Sequence, residues 1–144
     1  MCEILAPAGD KNSALAAINS GADAIYLGLK QFSARSSANN FDLAELKEII
    51  NYAAIFGVRV HVAMNTLVKQ DETEGFLSAV KEVWNAGADA IIIQDIFLGR
   101  AVHAAFPEIV LHLSTQAGVC NEYGARLAKE FGFSRVILAR ETAF

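Results

Sequence analysis

Gly21-Ala22-Asp23-Ala24-Ile25-Tyr26-Leu27-Gly28 decides how this chain folds: a glycine, an aspartate between alanines, then a short apolar run. The opening recurs as Gly87-Ala88-Asp89-Ala90 ahead of Ile91-Ile92-Ile93. Both stretches read as helix-to-strand turns, with glycine in the left-handed position that follows a helix and an apolar strand after it. Phe56-Gly57-Val58 and Phe131-Gly132-Phe133 repeat the device less closely. The spacing predicts strands over Glu3–Ala8, Ala24–Gly28, Arg59–Asn65, Ala90–Asp95, Ile109–Thr115 and Arg135–Arg140, with a helix in each interval. Strands alternating with helices form a parallel sheet.

The helix starts support this pattern. Asp42 with Glu45 three residues later reads as a capping box, with Phe41 and Leu46 as its hydrophobic staple. Asp71 with Glu74 reads the same way for the third helix. The fold class is therefore α/β: parallel βα units forming an incomplete (β/α)8 TIM-type barrel with six strands and five helices. No Pro-, Ser- or charge-rich linker interrupts it, so residues 1–144 are expected to be a single domain, the N-terminal portion of a TIM-like barrel ending after strand six.

At 144 residues, 53% hydrophobic and 19% charged, the chain suits a globular domain with a sizeable core. Its net charge of −4 provides no overall basic field for nucleic acid. Apolar runs are too short to span a bilayer and no signal-like start is present, so a cytoplasmic location with no membrane partner is expected. Cys2 and Cys120 fall at opposite ends of such a barrel, and two cysteines do not complete a metal or cluster site. No metal and no cofactor are expected in this chain. The exposed edges of the first and sixth strands predict self-association.

Ligands of parallel α/β folds bind outside the carboxyl ends of the strands. The residues there include Lys30, Asn65, Asp95, Ser114, Gln116, Arg140 and Glu141. Asp95, Arg140 and Glu141 are the catalytic candidates, because strand ends are where a barrel places its reactive groups; Arg140 with Glu141 also suits a structural ion pair. Lys30, Arg35, Asn39 and Asn40 lie in the longest irregular stretch, 30–40, and together with Asn65, Ser114 and Gln116 form the substrate-binding candidates. Cations beside amides suit phosphate, carboxylate or an RNA backbone. His61 and His112 each lie four residues before a rim amide, so they share its strand face and enter one interior layer near Glu3. That polar cluster reads either as a proton relay or as a pair of satisfied core histidines. Ser114 lacks a nucleophile-elbow motif, and no P-loop or dinucleotide fingerprint is present. Lys30 is the one candidate for a Schiff-base lysine in a lyase or aldolase reading.

Taken in order, Glu3–Gly9, Gly21–Gly28, Phe32-Ser33, Arg35, Ala38–Phe41, Asn65-Thr66, Asp95, Ser114–Gln116 and Ala139–Glu141 resemble the opening of the collagenase-like peptidase family U32. The resemblance covers essentially the whole chain. It implies the N-terminal part of a longer peptidase, a hydrolase of undefined mechanism. It also implies the alternative known in that family, oxygen-independent hydroxylation of an RNA base or a quinone precursor by the full-length protein. The family's cysteine-bearing signature and most ligands of any iron–sulfur cluster lie downstream, so neither is carried over to Cys2 or Cys120. The implied substrate is RNA or a peptide. A non-catalytic binding or assembly module is the remaining alternative, and this portion alone is expected to be inactive.

Overall fold

The computed structural model describes residues 2–34 and 40–143. It contains β1 (Leu5–Ala8), α1 (Lys11–Asn19), β2 (Ala24–Gly28), α2 (Leu43–Ile55), β3 (Arg59–Met64), α3 (Thr73–Asn85), β4 (Ala90–Ile93), α4 (Ile96–Ala105), β5 (Leu111–Leu113), α5 (Glu122–Glu130) and β6 (Phe133–Val136). All six strands run parallel in the order β1-β2-β3-β4-β5-β6, the sequential order of a curled barrel wall.

Alternation along each strand separates two apolar layers. Ile25, Leu27, Val60, Val62, Met64, Ile91, Ile93, Leu111, Leu113 and Phe133 face the helices and join Leu46, Ile49, Phe76, Val80 and Val102 in one buried core. The intervening positions, among them Tyr26, His61, Ala63, Ile92, His112 and Arg135, belong to the concave face. Ser134 is the extra residue of a bulge where β5 meets β6, and its hydroxyl donates to the Leu111 carbonyl at 3.0 Å.

The strands are shorter than the sequence reading, because apolar runs continue into rim turns where the ladder has ended. Gln94-Asp95 and Ser114-Thr115 lie beyond β4 and β5, and β6 runs over Phe133–Val136 rather than Arg135–Arg140. The start of α3 also differs. A 3₁₀ turn, Gln70–Glu72, precedes the helix, and Glu72 Oε2 accepts from the Lys69 N–H at 2.9 Å, so Asp71 is not the cap. The predicted box at Asp42 is present: its carboxylate accepts from the N–H groups of Ala44 and Glu45, while Glu45 accepts from the Asp42 N–H.

The repeated Gly-Ala-Asp-Ala turns have a second role that the sequence reading missed. Gly21 and Gly87 have φ of 88° and 102°, and each opens a turn that ends its helix. The aspartate two residues on then reaches sideways to the preceding strand. Asp23 Oδ2 accepts from the Ile4 N–H just before β1 at 2.8 Å, and Asp89 Oδ2 from the Val60 N–H of β3 at 2.7 Å.

Candidate functional site

The segment after β2 returns on itself. The Lys30 N–H donates to the Phe41 carbonyl and the Phe41 N–H to the Gly28 carbonyl, both at 3.0 Å, so the base of the loop is closed beside β2. Phe32 anchors the outgoing arm edge-on against Phe76 of α3, with ring centroids 5.3 Å apart. Phe32 and Asn40 adopt positive φ, 59° and 37°, which turns the backbone sharply at both ends. Arg35 and Asn39 lie outside the described residues.

Ser33, Ala34 and Asn40 of this segment line a cavity of about 370 Å³ at the carboxyl ends of the strands, within the range of small-ligand pockets. Tyr26, Ser33, Asn40, Asn65, Ser114, Gln116 and Arg140 supply its polar lining, and Leu5, Ala63, Ile92 and Ile137 its apolar floor and sides. Gly28 is there because of close approach: a Cβ at that position would overlap Ser33 Oγ and crowd Asn40 Oδ1.

Asn65 and Gln116, from the ends of β3 and β5, meet in this wall. Asn65 Oδ1 accepts from the Ala34 N–H at 3.3 Å, and Asn65 Nδ2 donates to Gln116 Oε1 at 2.6 Å. The Ser114 hydroxyl accepts from the Gln116 N–H at 3.3 Å, capping the short turn Thr115–Ala117. Arg140 lines the cavity, and among the described residues it makes no ion pair. The sequence-predicted Asn40, Asn65, Ser114, Gln116 and Arg140 therefore come together. Tyr26 and Ser33 were missed. Tyr26 is two residues before Gly28, hence on the same strand face, and that period of two was the available signal.

Other candidates are placed elsewhere. Asp95 caps α4, its Oδ1 accepting from the N–H groups of Phe97 and Leu98 at 2.9 Å each, and it does not line the cavity. Its position before a helix gives it the role of N-cap. Glu141 is exposed, lies outside the cavity, and forms no ion pair with Arg140. Lys30 turns away toward Asp42 and Glu45, at 3.3 and 3.5 Å. The hydrogen bond to Asp42 holds its ammonium in the charged form, with its pKa raised, which argues against a Schiff-base role.

His61 and His112 lie in the interior with ring centroids 4.8 Å apart, edge to face, and are 2% and 5% exposed. Among the described residues neither Nδ1 has a hydrogen-bond partner. Burial lowers the pKa of both, and that of His112, further opposed by His61, falls to about 4. Glu3 binds Arg135 through both oxygens, at 2.9 and 3.4 Å, and Arg59 at 3.2 Å. The Arg135 hydrogen bond is the main cause holding the Glu3 carboxyl below its usual pKa. The cluster is thus a neutral imidazole pair beside an ion triad.

Cys2 and Cys120 are exposed free thiols outside the cavity. Among the described residues no group of three or more His, Cys, Asp or Glu side chains is placed to hold a metal ion. This donor set does not fit an iron–sulfur cluster, which needs converging thiolates. Among the described residues no helix is long and apolar enough to cross a membrane.

A family model described as "Peptidase family U32" matches residues 9–144. The chain is 33% identical over 141 residues to "tRNA hydroxylation protein P1" of Bacillus subtilis, covering 98% of this chain and 33% of that protein. It is 35% identical over 139 residues to "23S rRNA 5-hydroxycytidine C2501 synthase" of Escherichia coli, covering 96% of this chain and 21% of the relative. The chain therefore spans a third or less of the length of these relatives. Among solved structures, "The Structure of the U32 Peptidase Mk0906" superposes with a TM-score of 0.73 at 14% identity, over 96% of this chain and 58% of that one, a likeness of fold.

Proposed function

Because the chain belongs to peptidase family U32, with relatives named for tRNA and rRNA hydroxylation, we propose that it forms the substrate-binding face of an enzyme that hydroxylates RNA bases. The observation that carries this reading is the cavity wall itself. Asn65 and Gln116 present amides there, Ser33, Tyr26 and Ser114 hydroxyls, and Arg140 a guanidinium. Amides and hydroxyls read the polar edges of a base, an aromatic ring gives a stacking surface, and a cation holds a phosphate. The oxidising chemistry would come from outside this cavity lining, and an iron–sulfur cluster would need thiolates other than Cys2 and Cys120, which do not converge.

The peptidase reading has less support. Hydrolysis of a peptide needs an activated nucleophile or water with a base within reach. Among the described residues no imidazole or carboxylate is bonded to the Ser114 hydroxyl, which caps a turn instead, and Asp95 is engaged at α4.

The deciding experiment disrupts the gene in its host and measures hydroxylated pyrimidines in digested tRNA and rRNA by mass spectrometry. Loss of one such nucleoside, restored by the intact gene but not by an Arg140→Ala copy, supports the reading. Unchanged nucleosides in both RNA pools overturn it. The outer edges of β1 and β6 have no strand partner among the described residues, and self-association through them belongs to the same proposal. Static light scattering that finds a monomer at every concentration overturns that part.

A further inference from the structure

Amide side chains are directional: one end accepts and the other donates. In the wall of the cavity that direction is set by the backbone. The Ala34 N–H has only a proton to offer, so the Asn65 atom facing it at 3.3 Å is the oxygen. Asn65 Nδ2 then faces Gln116, and the Gln116 atom that meets it at 2.6 Å is Oε1. The remaining end of Gln116 is its NH2. Among the described residues it donates to no protein acceptor, and Gln116 is an exposed residue of the cavity lining. The Ser114 hydroxyl fixes the Gln116 backbone by accepting its N–H.

We infer that Gln116 reads the substrate as a hydrogen-bond donor, that Asn65 is the positioning residue fixing this polarity, and that the ligand is an acceptor oxygen of RNA, a base carbonyl or a phosphoryl oxygen. The inference rests on the RNA reading proposed above. The Ala34 N–H thus sets the polarity of both amides.

The substitution Asn65→Asp tests this directly. Aspartate still accepts from Ala34 but offers only oxygen to Gln116, which must rotate so that its NH2 faces Asp and its carbonyl faces the cavity. The added negative charge also weakens RNA binding generally, so the effect is read from a double-mutant cycle of Asn65→Asp with Gln116→Ala. Binding of this chain to the probes UUU, CCC and an abasic ribose-phosphate trimer is followed by fluorescence anisotropy, with folding checked by circular dichroism. The expected coupling is roughly five- to tenfold in Kd, the worth of one hydrogen bond. If the acceptor is the carbonyl at the 4-position of the base, the coupling appears for UUU, and Asn65→Asp shifts preference toward CCC. If it is a phosphoryl oxygen, all three probes show it equally. Both outcomes support the inference, and additive effects on every probe overturn it.

A wild-type chain that binds none of the probes counts against the RNA reading instead. The polarity itself is then decided without ligand, from the side-chain amide resonances of Gln116. A large change in these on Asn65→Asp, reproduced less strongly by Asn65→Ala, supports the relay; unchanged resonances in both variants overturn it.

Discussion

Arg135 of β6 grips Glu3, just ahead of β1, through two hydrogen bonds of 2.9 and 3.4 Å, although their strands lie at opposite edges of the sheet. Glu3 also holds Arg59 of β3. One carboxylate therefore ties three parts of the wall together where backbone pairing does not join β1 to β6. Partly buried charge-assisted bonds of this kind are worth more than surface pairs. The expected cost of Glu3→Gln is about 1–2 kcal/mol in urea unfolding at neutral pH. Because the folded-state pKa of Glu3 is lowered, its contribution is present above about pH 4.5 and is lost as pH falls through the folded value. The variant should therefore match wild type most closely in acid, and an equal gap at every pH would refute the assignment.

The imidazole pair acts in a different window. A histidine whose folded pKa is lowered takes up its proton more readily when unfolded, so stability rises with pH between the two values. For His112 that window runs from about pH 4 to 6.5. Replacing His112 with Leu should make the stability profile shallower across this window, leaving the part due to His61, while stability at pH 8 holds or improves because an unpartnered Nδ1 is removed. Denaturant titrations at half-unit intervals give the slope directly. A retained slope would place the titrating group elsewhere.

Asp95 offers a clean separation of roles. As a cap it should tolerate Asn, which keeps a side-chain oxygen for the Phe97 and Leu98 N–H groups, and lose about 1 kcal/mol as Ala. In the full-length protein the Asn variant should keep its activity. An Asp95→Asn protein that is stable and inactive would return Asp95 to the chemistry.

Gly28→Ala should damage the cavity more than the fold. The new methyl group meets Ser33, and overpacking of this kind costs about 1–3 kcal/mol. Adding Ser33→Gly removes both of the Ser33 atoms nearest the new methyl and should recover most of the loss. Thermal unfolding of the single and double variants checks this; no recovery would mean that Asn40 or the backbone sets the limit.

The barrel architecture was legible because its signals are local and repeated. A glycine must sit where a helix ends in the left-handed conformation, and strand alternation must separate helix-facing from inward residues. His61 and His112 were brought to one layer by counting residues along β3 and β5. The site was harder to read, because every strand end in this fold is also a helix entrance. An acid there serves equally well as a cap or as a catalyst; Asp95 was read as a catalyst, and the structure shows its carboxylate capping α4. The contacts of Lys30 with Asp42 and Glu45 were not legible, because they lie across a loop whose path the sequence does not reveal. Asp23 and Asp89 looked like turn residues, and nothing in their local sequence shows that their carboxylates cross to the neighbouring strand.

Those two aspartates divide the wall into tiles. Asp23 fastens the start of β1 from the entrance of β2, and Asp89 fastens β3 from the entrance of β4. The segment 30–40 falls between the tiles, in the connection from β2 to β3, and interrupts neither fastening. A change in this segment therefore leaves both fastenings intact, while Phe32, Ser33 and Ala34 tie it separately to Phe76, Gly28 and Asn65.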